Sequence, residues 1–183
     1  TEITKLTIED GRVTGVEGRT LSGEPVTVSS KTVVVTTGGF NSNLAMVLEN
    51  SPELRNDKVL VGSGPGSTGS GHKLVREAGG YLTHMDHNWF YVYATPDYRD
   101  PAQARGLAVR QVPGYIWVNQ QGCRFHNEDV SGGNSASPAV MAQTPRYAWA
   151  IMDAAMTKAM QVADPYYKQG DKILRDKVEE LLA

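Results

Sequence analysis

Two glycine-bearing stretches carry the residue types that could hold a ligand. The first is Thr36-Thr37-Gly38-Gly39-Phe40-Asn41, which follows a run rich in β-branched residues over 31–37. Glycines at a strand end let backbone amides approach a ligand with no Cβ in the way, which suits a nucleotide. A plain tight turn after a core strand fits the same residues. The second is Pro65-Gly66-Ser67-Thr68-Gly69-Ser70-Gly71, leading into a helical pattern over 71–78 that Gly79-Gly80 ends. Free amides at a helix start can bind phosphate or carboxylate oxygens; a surface loop is the competing reading. The stretch is not a P-loop, because its lysine and following Ser/Thr are out of position.

Other reactive side chains give weaker signals. His72, His84, His87 and His126 lack metal-ligand spacing and read as surface or satisfied core histidines. The single cysteine, Cys123, cannot form an internal disulfide, and nothing around it would activate a thiolate. Trp89, Phe90, Tyr91 and Tyr93 are either core aromatics or substrate contacts. Arg124, Asn127 and Glu128 read as structural groups that tie the turn 120–122 to the neighbouring domain by hydrogen bonds, in preference to catalysis.

The elements that must position these groups are of mixed type. Alternating segments broken at Asp10-Gly11 and Ser22-Gly23-Glu24-Pro25 predict a three-stranded antiparallel meander. Residues 31–37 predict a buried, parallel strand with no second βαβ partner in this sequence. Helices are expected over 43–49, 71–78, 135–143, 154–162 and from about 171, and strands over 81–86, 115–119 and 147–152. Residues 95–105 read as a polar, proline-bearing loop. The fold class is α+β: a meander plus one strand of a larger sheet, followed by a second α+β domain.

Composition excludes several function classes. With 183 residues, 40% hydrophobic content and a net charge of -2, the chain can bury a core and lacks a basic run for nucleic acid. No apolar stretch approaches the roughly 20 residues of a membrane helix. The start without methionine and the end inside an amphipathic run read as a piece of a longer protein. A cytoplasmic location is the default expectation.

Four segments in order resemble one flavoprotein family. Asp10-Gly11-Arg12-Val13-Thr14-Gly15-Val16, Thr36-Thr37-Gly38-Gly39-Phe40, Thr68-Gly69-Ser70-Gly71 with Ala78-Gly79-Gly80, and Val118-Asn119-Gln120-Gln121-Gly122-Cys123-Arg124-Phe125-His126-Asn127-Glu128 are similar to motifs of soluble fumarate reductases and 3-ketosteroid dehydrogenases. The resemblance implies FAD as cofactor of the full-length protein. It also implies hydride transfer between flavin and a C–C bond next to a carbonyl in a small-molecule substrate. Residues 1–41 would belong to a discontinuous FAD-binding domain and 42–183 to a substrate-capping domain. The glycine fingerprint and closing segment of the flavin domain would lie elsewhere, so this chain alone would hold FAD poorly. The alternative is a non-catalytic module, or a small-ligand domain that binds no flavin on its own.

The resemblance assigns cofactor contacts to Thr36, Thr37, Gly38, Gly39, Phe40, Asn41, Thr68, Gly69 and Gly71. It assigns substrate contacts to Trp89 and Tyr91 and proton transfer to Arg110. Three positions depart from the pattern: Gly132 stands where the family has arginine or tyrosine, Tyr91 near its carboxylate-binding histidine, and Leu107 at its relay glutamate. These departures point away from fumarate and make the aromatic segment 89–93 a wall for a bulky apolar substrate.

Overall fold

The computed structural model describes all residues except 63, 89–91, 93, 103, 111, 113 and 130–132, and describes 133–135 by backbone alone. The chain divides into two compact units. One comprises Thr1–Pro52 with Ser63–Asn88, the other Glu53–Gly62 with Trp89–Ala183. The described elements are mixed helices and antiparallel strands, as the α+β expectation required.

The first unit opens with the predicted meander, β1 (Glu2–Glu9), β2 (Arg12–Arg19) and β3 (Pro25–Ser29), in the order β1-β2-β3. Asp10 and Gly11 both have positive φ, 49° and 72°, and Glu9 faces Arg12 across the turn. That is the geometry a two-residue Asp-Gly hairpin selects, because its twist matches that of the strands. Helix α1 (Leu44–Asn50) is capped by Asn43, whose side chain accepts from the Met46 amide at 3.1 Å, and it buries Val47. Helix α2 (Ser70–Glu77) buries Leu74. It closes as a Schellman motif: Gly79 has φ 80°, and the Gly80 amide donates to the Val75 carbonyl at 2.8 Å.

Two predictions fail in this unit. Residues 31–39 belong to no helix or ladder among the described residues, and Val34 is 79% exposed. A strand of this composition needs neighbours to bury its side chains and satisfy its backbone, and no described strand lies beside it. Residues 81–86 form no strand either: His84 takes φ 54° and its carbonyl accepts from the His87 amide at 3.0 Å, turning the chain and leaving Tyr81 89% exposed.

In the second unit β4 (Ala94–Pro96) pairs with β5 (Gly106–Arg110), which pairs with β8 (Gln161–Val162) after the β6 (Ile116–Val118) and β7 (Trp149–Ile151) ribbon. Helix α3 (Gly133–Met141) follows the expected pattern. The polar stretch 95–105 thus begins as strand, with Thr95 opposite Leu107. The helix expected over 154–162 is only α4 (Ala154–Thr157), started by Asp153 accepting from the Ala155 and Met156 amides at 2.8 Å each. Val162 is instead a fully buried strand residue packed with Leu107, Met160 and Val178, and that burial outweighs the local helical preference. The last helix also starts late. A hairpin of β9 (Lys168–Gln169) and β10 (Lys172–Ile173) turns at Gly170, φ 61°, before α5 (Arg175–Leu182). No described helix is long and apolar enough to cross a membrane.

Leu107 is 1% exposed at the centre of this core. Leu107→Ala is expected to destabilise the protein by about 2–5 kcal/mol, since the cavity adds to the lost transfer energy. Urea unfolding would show it as a lower midpoint with an unchanged slope.

Candidate functional site

The two glycine stretches that are far apart in sequence come together in the first unit. The Gly69 amide donates to the Gly39 carbonyl at 3.1 Å, the Ser42 amide to the Ser67 carbonyl at 2.9 Å, and the Ser42 hydroxyl to the Gly64 carbonyl at 2.7 Å. The Asn43 carboxamide donates to the Thr68 carbonyl at 3.1 Å. Helix α2 therefore starts against residues 39–43. The fit depends on missing side chains: a Cβ on Gly71 would collide with Thr37 Oγ1 and lie 2.9 Å from Val35 Cγ1, and one on Gly69 would overlap Met46 Sδ. Gly38, by contrast, opens on free space but has φ 79°, a conformation costly for other residues.

Gly69 is the N-cap of α2 and offers no side chain to cap it. The first-turn amides, which have no acceptor inside the helix, are thus left to another acceptor. They lie beside the exposed residues Thr36, Thr37, Gly38, Gly39 and Thr68, with Asn41 half-buried. Phe40 is buried beneath, its ring meeting that of His72 edge-on at 5.3 Å; His72 Nδ1 is buried with no hydrogen-bond partner. Exposed glycine backbone beside a helix start that has no side-chain cap can accommodate a phosphate-bearing group such as a dinucleotide's.

The other sequence-predicted residues are not gathered here. Arg110 is exposed at the end of β5, opposite Gln161 in register. Trp89 and Tyr91, with Phe90, Tyr93 and Gly132, lie outside the described residues. Leu107, at the family's glutamate position, is core. Among the described residues no cluster of three or more His, Cys, Asp or Glu side chains could hold a metal ion.

Arg124 and Glu128 are held in structural bonds, but where the sequence reading expected a tie from the turn to the flavin domain, their described partners are each other and Trp117, all within the second unit. The Glu128 carboxylate accepts from Arg124 Nε at 3.0 Å and from the backbone amide of the buried Trp117, whose ring stacks with Phe125 and His126. Burial pushes the Glu128 carboxyl up, but the Arg124 guanidinium and the Trp117 amide more than offset it and hold the group below the usual glutamate value.

Sequence reading missed a second charged cluster. Asp97, buried, receives Arg99 through two bonds, at 2.9 and 2.8 Å; Asp164, also buried, pairs with Arg105 and receives Arg99 at 3.5 Å. The Arg99 guanidinium lies 4.0 Å from the centre of the Tyr166 ring. Separations of 59 and 65 residues hid the pairing. Its one local signal was Asp164-Pro165, an N-cap followed by proline at the first turn. The cluster ties the 97–105 loop to 164–167 and takes a structural role.

Comparison with known proteins places these features in context. A family model described as an FAD binding domain matches residues 1–165. The NADH:fumarate oxidoreductase of Klebsiella pneumoniae (strain 342) is 31% identical over 172 residues, 93% of this chain and 18% of that protein. The fumarate reductase (cytochrome) of Shewanella frigidimarina is 31% identical over 143 residues, 78% of this chain and 24% of that protein. The chain thus spans about a fifth to a quarter of the length of these relatives. A flavocytochrome c3 fumarate reductase in its open conformation superposes with a TM-score of 0.58 at 26% identity, covering 85% of this chain and 27% of that one. The 3-ketosteroid-delta4-(5alpha)-dehydrogenase of Rhodococcus jostii RHA1 gives 0.57 at 24% identity over 85% of this chain and 29% of that one, a likeness of fold.

Two outcomes are expected. Gly71→Ala should lower stability by about 1–3 kcal/mol through overpacking, whereas Gly39→Ala, facing open space, should change thermal unfolding little. Because the folded Glu128 carboxyl is depressed, its contribution is present above the unfolded value and lost as pH falls through the folded one. Glu128→Gln should therefore flatten the acid limb of the stability–pH curve below the usual glutamate range, read by unfolding at a series of pH values.

Proposed function

The chain belongs to the FAD binding domain family, and from that premise we propose that it is part of an FAD-dependent oxidoreductase acting on a CH–CH bond next to a carbonyl. The observation that carries the proposal is the junction of Gly38–Phe40 with the uncapped start of α2 at Gly69, within residues that match the family. Bound FAD would supply hydride exchange with a substrate carbon. The chain's own contribution would be to bind and orient: free amides around Gly38, Gly39 and the first turn of α2 would hold the cofactor's anionic groups, and Thr36, Thr37, Asn41 and Thr68 would offer polar side chains around them.

Residues 1–41 are proposed to belong to the flavin-binding domain. The packing of 63–88 with the meander supports drawing that side out to residue 88 and leaving the second unit as the substrate-covering part. The exposed, unpaired segment 31–37 would then find its strand neighbours in the remainder of the flavin domain. Arg110 is proposed as the proton-transfer residue, and Trp89 and Tyr91 as contacts to a bulky apolar small molecule.

The direct test is the visible absorbance of the purified full-length protein and of residues 1–183 alone, each grown with ample riboflavin. Flavin bands in the full-length protein and not in the shorter chain are the expected result. A colourless full-length protein would overturn the oxidoreductase reading and favour a non-catalytic module.

A further inference from the structure

We propose that Asn43 is a positioning residue for the cofactor site, fixing the Thr68–Gly69 peptide plane; the proposal rests on the flavin-binding role proposed for that loop. Asn43 engages every polar group it has. Its backbone amide donates to the Phe40 carbonyl at 2.8 Å and its carbonyl accepts from the Val47 amide at 3.0 Å. Its side-chain Oδ1 accepts from the Met46 amide at 3.1 Å, and its Nδ2 donates to the Thr68 carbonyl at 3.1 Å. The carboxamide orientation follows from these partners, since the flipped form would set donor against donor and acceptor against acceptor.

The Thr68 carbonyl and the Gly69 amide belong to one planar peptide unit. Asn43 holds its oxygen end, and the Gly39 carbonyl receives its N–H end at 3.1 Å. A peptide next to glycine rotates readily, because no Cβ opposes the alternative φ. Pinning both ends removes that freedom and fixes the direction in which α2 starts, hence where its first-turn amides point. The same side chain caps α1, so its two ends separate two roles: Oδ1 serves helix stability, Nδ2 serves the loop.

Asn43→Ser separates them experimentally. Serine is as good an N-cap as asparagine but cannot reach the Thr68 carbonyl. In the full-length protein, Asn43→Ser should lower the thermal midpoint of the FAD-free form by less than Asn43→Ala does, weaken FAD by about fivefold to tenfold in a titration, and speed hydrogen exchange at the Gly69 amide. Asn43→Ala should lose the cap as well and lower the midpoint. Wild-type FAD affinity in Asn43→Ser, or affinity that falls only in step with the midpoint in both variants, would overturn the proposal. A wild-type protein with no FAD affinity would overturn the flavin reading itself; Gly69 exchange would then decide alone whether Asn43 holds the peptide plane.

Discussion

The first turn of α2 can lie against residues 35–40 only where no side chain intervenes, and the candidate site depends on that approach. Gly71 meets Thr37 and Val35, and Gly69 meets Met46 and Phe40, at separations that leave no room for a Cβ. Steric exclusion of this kind is stiffer than a hydrogen bond, because overlap energy rises steeply while a lost bond costs about 1 kcal/mol net. The bonds from Gly69 to Gly39 and from Ser42 and Asn43 to residues 64–68 then select one arrangement among those the glycines permit. Glycine supplies the closeness, and the polar side chains of 42 and 43 supply the order.

Much of the local structure was legible from residue types. The Asp10-Gly11 hairpin, the Gly79-Gly80 stop and the tight turn at Gly122 each follow from the φ a particular residue allows, whereas Asn43, expected inside its helix, is the cap that precedes it. What was not legible depended on distant partners. Val162 is strand because β5 lies beside it, and residues 31–37 fail to form a ladder because none of the described strands does. A run rich in β-branched residues states a preference for burial between neighbours; it cannot state whether the neighbours are present. The glycine stretches were each ambiguous alone, and only their mutual hydrogen bonds distinguish a shared cradle from two separate turns.

The second unit shows a different balance between apolar and charged groups. Leu107, Met160, Val162 and Val178 form an apolar core, while at its margin the buried Asp97 and Asp164 pair with two partly exposed arginines. Such carboxylates are tolerable only because each finds charged donors, since an unpaired buried charge would cost several kcal/mol. Glu128 follows the same rule with Arg124 and the Trp117 amide. These groups are accounted for by the structure they hold, whereas Arg110 is exposed at the end of β5 and joins none of these networks among the described residues.

The exposed valines of segment 31–37 bear on how the flavin-side residues act. Val34 lies open to water in a segment whose composition favours burial, and it stands four residues before Gly38. Pairing this segment with further strands would bury apolar area at about 25 cal/mol per Å² and add ladder hydrogen bonds. It would also hold the chain leading into Gly38 and Gly39 rigid at one end, while Asn43 and Gly69 hold it at the other. A cofactor site whose entry strand is unpaired must pay the entropy of ordering that strand on binding. Strand pairing and FAD affinity are therefore expected to be coupled, because the junction of the two glycine stretches is only one part of the proposed site and its entry segment gains its order from neighbouring strands.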